Sequence, residues 1–139
     1  MRVSLKAYLA RAVIPIQIDV GFGDAILPAQ EIPLFTPILD MERPQILTYP
    51  PESVIAEKYH AMVILEMGNS RMKDFYDIAF MSQKQSFEFQ RLSQAILLTF
   101  TARETPVLDS LPFVFTPDFY DFPPKVMQWN AFLKKNKLT

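Results

Sequence analysis

The chain of 139 residues contains no cysteine and only one histidine, His60. Without cysteine, disulfide bonds, thiolate metal sites and a cysteine nucleophile are all excluded. No serine or threonine has a plausible histidine–acid partner in the sequence, so a hydrolytic triad is not indicated. The absence of cysteine is compatible with the cytoplasm, and we expect a cytoplasmic protein.

Long apolar runs and an excess of charge of one sign are also missing. No apolar stretch approaches the 18 or so residues of a membrane span, so we expect no membrane partner. The formal net charge is −1, and any contact with nucleic acid must therefore come from a local basic patch. Half of the residues are apolar, which is enough for one domain over residues 1–139 with a substantial core.

The chain has three glycines, and two of them, Gly21 and Gly23, lie in one short segment. They permit a tight turn, but neither a Walker lysine nor a GxGxxG pattern accompanies them, so no phosphate loop is indicated. Asp19 and Asp24 flank this turn. A metal site at a strand end and a simple polar turn are both compatible with that arrangement.

Apolar periodicity predicts an α+β protein with a strand-rich part, residues 1–49, and a helical part, residues 50–139. Alternating isoleucines predict a strand over residues 12–20, and residues 1–11 are interpreted as the end of a helix. Two more strands are predicted over residues 32–36 and 45–49. Helices are predicted over residues 51–67, from about residue 71, over residues 87–102 and from residue 123, with a short turn at residues 116–121.

Lys58 lies within the apolar face of the first of these helices. Val54, Ala61 and Leu65 form this face, and the lysine falls between them at helical spacing. A lysine in that position either extends to solvent or stays buried beside a negative charge. A further reading is a cation that points into a cleft and holds phosphate.

The second helix begins with a dense group of charges. Its predicted cap is Asn69-Ser70, and its predicted buried face consists of Met72, Phe75, Tyr76 and Ala79. The charged residues Arg71, Lys73, Asp74 and Asp77 lie off that face. Since Lys73 and Asp77 are four residues apart, a surface ion pair is the simplest interpretation of that pair.

The last helix carries Trp129 and a basic tail of Lys134, Lys135 and Lys137. We interpret Trp129 as a core anchor of this helix, the alternative being a platform on which a base stacks. The basic tail suits a helix C-terminus. Contact with RNA phosphate is the alternative function for these lysines.

Four segments together resemble the AbiEii/AbiGii nucleotidyltransferase toxin family. They are IDVGFGD at residues 18–24, YPPESVIAEKYHAM at 49–62, NSRMKDFYDI at 69–78 and TFTARET at 99–105. They occur in the family's order and span most of the chain. The family is similar to polymerase-β-like nucleotidyltransferases and is associated with bacterial toxin–antitoxin and phage-defence systems.

The resemblance implies Mg²⁺-dependent transfer of a nucleotide from a nucleoside triphosphate to an acceptor such as tRNA. It implies that Asp19 is a metal ligand or base. Lys58 matches the family's lysine that faces the triphosphate. Asp74 or Asp77 corresponds to the functional acid, and Arg71 and Lys73 are candidate phosphate contacts.

The family's first motif, a Gly-Ser or Gly-Gly-Thr turn followed by a strand with paired aspartates, is absent before Asp19. We therefore expect the C-terminal part of a nucleotidyltransferase that is incomplete alone, with a small mixed β-sheet as the remnant of the family's sheet. The expected partners are an antitoxin or the missing N-terminal half, and a second copy at an exposed sheet edge. The alternatives are an inactive remnant that binds nucleotide, RNA or antitoxin, and a homo-oligomeric interaction domain.

Overall fold

The computed structural model describes residues 1–23, 27, 37–44 and 46–138, together with the backbone of residues 30–32. The described chain has four short strands followed by five α-helices. The prediction of an α+β fold is therefore confirmed. All the described strands lie before residue 49, and all the described helices lie after residue 50.

The first two strands, β1 (Arg2–Leu9) and β2 (Ala12–Asp19), form an antiparallel hairpin. The strand predicted over residues 12–20 is confirmed, whereas the helix end predicted over residues 1–11 is wrong. Alternate residues of β1 face the same side of the hairpin as alternate isoleucines of β2, and Leu5 lies opposite Ile16. Pairing with β2 therefore makes this segment a strand, although the spacing of its apolar residues also fits a helix.

The strands β3 (Gln30–Ile32) and β4 (Ile46–Thr48) form a second antiparallel pair. β4 falls within the strand predicted over residues 45–49. The predicted strand at 32–36 meets β3 at Ile32, and its residues 33–36 lie outside the described residues. In the described chain the strands thus form two separate antiparallel pairs, where the sequence predicted one mixed sheet.

The helices follow the predicted order. They are α1 (Pro51–Leu65), α2 (Met72–Lys84), α3 (Phe89–Ala102), α4 (Pro117–Tyr120) and α5 (Pro123–Asn136). A proline occupies the start of α1, α4 and α5, where a missing backbone N–H does no harm. After Leu65 the chain makes one 3₁₀ turn, Glu66–Gly68, before it reaches α2.

The helix α1 contacts both halves of the helical core. On one side Ala56 packs with Ala95 of α3 and with Leu27. On another side Met62 packs with Val114 and Phe119. α1 is therefore fixed between α3 and the segment that includes α4, and this packing sets the direction in which Lys58 points. Among the residues described, no helix combines the length and apolar character that crossing a membrane requires.

One face of the β1–β2 hairpin is apolar and open. It is formed by Val3, Leu5, Ala7 and Leu9 of β1 and by Ala12, Ile14, Ile16 and Ile18 of β2. Apart from Val3 and Ala7, which are half-buried, all of these residues are exposed. A two-stranded hairpin with an uncovered apolar face is only marginally stable in water, so this face is a candidate for an intermolecular contact.

Candidate functional site

The ammonium group of Lys58 lies between two carboxylates of α2. Its Nζ is 2.7 Å from Oδ1 of Asp74 and 2.7 Å from Oδ2 of Asp77. Only 17% of the lysine side chain is exposed. Of the alternatives that the sequence left open, the structure therefore shows a lysine held beside negative charge within the protein.

Asp74 is one of the most buried charged groups of the described chain, with a side chain that is 5% exposed. The sequence placed it off the buried face of α2, and that prediction is wrong. The predicted face itself is only partly buried: Met72 is buried, but Ala79 is exposed. Asp74 is buried on the side of α2 that faces Lys58 of α1, with which it forms an ion pair. Apolar periodicity does not predict this burial, because it takes no account of a charged partner on another helix.

Two more cations, one immediately before α2 and one in its first turn, complete the cluster. Nε of Arg71 lies 2.6 Å from Oδ2 of Asp74, and Nζ of Lys73 lies 2.5 Å from Oδ2 of Asp77. Both side chains are largely exposed, at 57% and 72%. The three cations and two carboxylates have a net formal charge of +1, which suits the binding of an anion such as phosphate.

The ion pairs set the protonation of the cluster. Burial lowers the pKa of Lys58, but the hydrogen bonds to Asp74 and Asp77 outweigh it, and the pKa lies above the ordinary value. Burial likewise raises the pKa of Asp77, and its hydrogen bonds from Lys58 and Lys73 bring it below the ordinary value. At neutral pH the lysine is therefore cationic and Asp77 anionic.

The turn that precedes α2 is held by Asn69, which is fully buried. Its Oδ1 accepts a hydrogen bond of 2.8 Å from the backbone N–H of Arg71, and its carbonyl accepts one of 2.6 Å from Nζ of Lys125. The helix begins at Met72, one residue later than a cap at Ser70 would place it. Sequence reasoning missed Lys125, and the only signal available was that a positive charge in the first turn of a helix opposes the helix dipole.

Asp19 lies in a different environment. Its carboxylate forms a bidentate pair with Arg2, with distances of 2.6 and 3.1 Å, and accepts a hydrogen bond from Gln17. The guanidinium of Arg2 lowers the pKa of Asp19. The contacts of the described residues therefore bring Lys58, Arg71, Lys73, Asp74 and Asp77 together, and they join Asp19 to the hairpin instead. Asp24 lies outside the described residues.

An Mg²⁺ site requires several oxygen donors around one point. Within the described ranges, no group of three acidic or histidine side chains is close enough to hold a metal ion. Each carboxylate considered above is already paired with a lysine or arginine. The described residues therefore do not by themselves fit the metal site that the resemblance implies.

A cavity of about 380 Å³ opens beside the N-terminus of α2. Arg71 and Lys73 line it at the start of α2, and Gln128 and Lys135 line it from α5. Its three cationic side chains offer N–H donors at a size that accommodates phosphate groups. The basic tail of the last helix thus contributes Lys135 to the vicinity of the charged cluster.

Comparison with known proteins identifies the class of protein to which these residues belong. The family described as "Nucleotidyl transferase AbiEii toxin, Type IV TA system" matches residues 1–138. The chain therefore belongs to the AbiEii family and is a nucleotidyltransferase-type component of a type IV toxin–antitoxin system. Membership implies an antitoxin partner and a nucleotide substrate. No curated protein and no solved structure matches the chain.

Proposed function

We propose that this chain binds the triphosphate of a nucleoside triphosphate at Lys58, Arg71 and Lys73 and takes part in transferring the nucleotide to an acceptor such as tRNA. The observation that carries the proposal is the placement of Lys58 between Asp74 and Asp77 in a cluster with a net positive charge. A buried lysine that is held by two acids is fixed in direction, which is what a phosphate contact requires.

In the proposed reaction, an acceptor hydroxyl oxygen attacks the α-phosphorus while the bond from that phosphorus to the β-phosphate bridging oxygen breaks. The acceptor hydroxyl loses its proton to a base or to water, and pyrophosphate leaves. Negative charge grows on the phosphate oxygens during this exchange, and fixed cations stabilise it. Lys58 supplies such a cation, and the exposed Arg71 and Lys73 supply two that can move onto the ligand.

The family resemblance implies that Asp74 or Asp77 is the functional acid. In our proposal both carboxylates orient Lys58, because each lies 2.7 Å from its ammonium group. The lowered pKa of Asp77 supports this role, since an aspartate that stays ionised at neutral pH cannot act as a general acid. The two aspartates are thus positioning residues for the lysine.

We further propose that the reaction needs groups that the described residues do not supply. The family resemblance implies Mg²⁺, with Asp19 as one ligand, and its remaining carboxylates would come from outside these residues or from a second chain. If no such groups are supplied, the chain is a nucleotide- or RNA-binding remnant, which is the second candidate function. We place this function in a system for phage defence on the basis of the family, and in the cytoplasm, with which the absence of cysteine is compatible.

The proposal includes a second copy of the chain at the open edge of β1. Met1 and Val20 exchange both backbone hydrogen bonds, so the alternate residues Arg2, Ser4, Lys6 and Tyr8 direct their backbone groups outward. Pro15 has no N–H to donate from the free edge of β2. The edge of β1 is therefore the one on which a further strand can add.

Two copies of β1 fit each other in an antiparallel register with Leu5 on the two-fold axis. In this register Ser4 lies opposite Lys6 of the other copy, and Arg2 lies opposite Tyr8. These residues direct their backbone groups outward, as pairing requires, and no like charges are directly opposed. Both apolar faces lie on the same side of the resulting four-stranded sheet.

The nucleotide-binding proposal is tested with the purified chain and inorganic triphosphate by calorimetry. We expect Lys58→Met to weaken binding by at least about tenfold, since a charge-assisted phosphate contact is lost. The matched control is Lys84→Met, which removes an exposed lysine at the far end of α2. Equal affinities of Lys58→Met and the unaltered chain would contradict the proposal.

Transfer itself is measured with Mg²⁺, labelled nucleoside triphosphates and bulk tRNA. We expect the chain alone to transfer little label, because the described residues do not form a metal site. Robust transfer that Lys58→Met abolishes would show that the chain is a complete enzyme. It would thereby contradict the part of the proposal that requires groups from elsewhere.

A further inference from the structure

A second, apolar cavity is lined on one side by Met72, Phe75 and Ala79 of α2. Its volume is about 460 Å³, which is within the usual range for small-molecule sites. Aromatic side chains from three helices line it, including Phe75 of α2, Phe119 and Tyr120 of α4 and Trp129 of α5. Phe75 and Phe119 stack on each other with ring centres 5.7 Å apart.

Lys125 provides the charged group of this cavity. The residue is only 6% exposed, and its Nζ lies 5.2 Å from the centre of the Phe119 ring. It donates hydrogen bonds to the carbonyl of Asn69 at 2.6 Å and to Oε1 of Gln128 at 3.4 Å. The described residues give it no carboxylate partner. Buried cations are normally paired with a negative charge, so this ammonium favours an electron-rich ligand.

The apolar cavity adjoins the cationic one. Met72 lines both, and Gln128, which accepts a hydrogen bond from Lys125, lines the cationic cavity. A ligand that occupied both cavities would place a flat group among the aromatic rings and an anionic group beside Arg71 and Lys73. A nucleotide has this combination of a planar base and a phosphate chain.

We infer that the aromatic cavity between α2, α4 and α5 is a base-binding subsite in which Lys125 donates to an acceptor on the base edge. The inference rests on the proposed function, because Arg71 and Lys73 are taken to hold the phosphates of the same nucleotide. Every base has a face that can stack on aromatic side chains. A lysine pairs well with O6 and N7 of guanine, so the subsite favours bases with a ring carbonyl.

Trp129 reports directly on this cavity because it is the only tryptophan of the chain. We therefore titrate the protein with nucleoside triphosphates, with a trinucleotide RNA and with inorganic triphosphate, and follow tryptophan fluorescence excited at wavelengths that nucleotides do not absorb. We expect the base-containing ligands to quench the fluorescence and inorganic triphosphate to bind without quenching. Quenching by the free nucleotide assigns the subsite to the triphosphate substrate, and quenching by the trinucleotide alone assigns it to an RNA acceptor.

Two matched variants test the location. Val126→Phe enlarges a side chain that lines the cavity, whereas Met127→Phe enlarges the neighbouring side chain, which is 71% exposed and points elsewhere. We expect Val126→Phe to weaken binding of the base-containing ligand by about tenfold or more, and Met127→Phe to leave it unchanged. Unchanged binding in Val126→Phe overturns the inference.

Lys125→Met tests the donor, with Lys134→Met, which removes an exposed lysine of the same helix, as its control. We expect Lys125→Met to weaken binding of guanosine triphosphate more than binding of adenosine triphosphate. An equal loss for the two nucleotides overturns the role of Lys125. If Lys125→Met does not fold, the comparison of Val126→Phe with Met127→Phe still decides whether the cavity binds the base.

The outcomes separate this inference from the function on which it rests. If guanosine triphosphate binds no more tightly than inorganic triphosphate, and both are weakened by Lys58→Met, the base subsite is wrong and the phosphate site stands. If Lys58→Met leaves the binding of inorganic triphosphate unchanged, the proposed function fails. Quenching by uncharged guanosine would then still show that the aromatic cavity binds a base.

Discussion

The Nζ atom of Lys58 and the Oδ1 atom of Asp74 lie 2.7 Å apart, although the two residues are 16 positions apart on different helices. The contact fixes α2 against α1 at the point where both helices carry charge. Both side chains are mostly buried, so the pair is shielded from solvent and salt more than a surface pair would be. One interaction therefore holds the two helices together and fixes the position of the Lys58 ammonium group between two carboxylates.

The first prediction compares the two lysines that contact Asp77. Lys58→Met should lower the free energy of unfolding by about 3 kcal/mol, because it leaves Asp74 buried with an incomplete set of partners. Lys73→Met should lower it by roughly 0.5 kcal/mol or less, because its side chain is 72% exposed and the pair is screened. Urea denaturation at pH 7 measures both. Equal losses would show that burial does not distinguish the two ion pairs.

The second prediction concerns the free energy of unfolding at acidic pH. The folded pKa of Asp77 is depressed below the ordinary value of 3.8, so the unfolded chain takes up a proton first as the pH falls. The stability that Asp77 contributes should therefore be fully present well above pH 3.8, begin to fall as the pH approaches 3.8, and be lost as the pH falls through the lower, folded pKa. Denaturation of the unaltered chain and of Asp77→Asn at several pH values checks this. The two stability curves should converge in acid, and parallel curves would contradict the ion pair.

The third prediction uses the single histidine. Burial, helped by the charge of Arg103 and opposed by Glu57, lowers the pKa of His60 below 6.5. Its ring lies against Phe100 with centres 5.1 Å apart, and its Nε2 is 2.9 Å from Oγ1 of Thr105. An NMR titration should show one histidine resonance with a midpoint below 6.5. Because the folded state resists protonation, His60 should also reduce stability as the pH falls through this region.

A matched pair of arginines on α3 and at its end supplies the control for His60. Arg103→Gln removes a nearby positive charge and should raise the midpoint. Arg91→Gln removes an arginine that pairs with Glu52 instead and should leave the midpoint unchanged. A midpoint at or above 6.5 in the unaltered chain would mean that the ring is more solvated than the structure shows.

The fourth prediction concerns assembly through β1. Ser4 and Gln17 lie opposite each other in the hairpin, and each directs its backbone N–H away from the partner strand. Ser4→Pro removes a donor from the edge of β1 and should abolish a dimer, whereas Gln17→Pro alters the edge of β2 and should preserve it. Light scattering across a range of concentrations measures the mass. A monomer at all concentrations in the unaltered chain would exclude this assembly.

Much of the local structure could be predicted from residue patterns. The prolines at helix starts predicted the first residue of α1 and of α5 correctly, because proline suits the first helical turn. The alternating isoleucines predicted β2, because alternation of apolar residues is a property of a single strand. The strand β1 could not be recognised, since its identity depends on pairing with β2, and a run of eight residues with mixed spacing fits a helix as well.

The candidate site was only partly predictable. The sequence singled out Lys58, Arg71, Lys73, Asp74 and Asp77, and the structure brings all five together. No contact among the described residues joins Asp19 to this cluster. The roles of all six residues in binding and catalysis stay predictions. Lys125 was missed because a lysine after two prolines looks like an ordinary surface residue until α5 is packed against the turn at Asn69.

The sequence by itself determined the order of the helices, the family and the residues that carry charge near α2, because these depend on composition and on spacing along one element. Only the tertiary structure decided that Asp74 is buried, that Lys58 lies between two carboxylates and that Lys125 lines an aromatic cavity. Those features arise where α2 packs against α1 and against α5. The desolvation and pairing of a charge depend on neighbours that are distant in the chain.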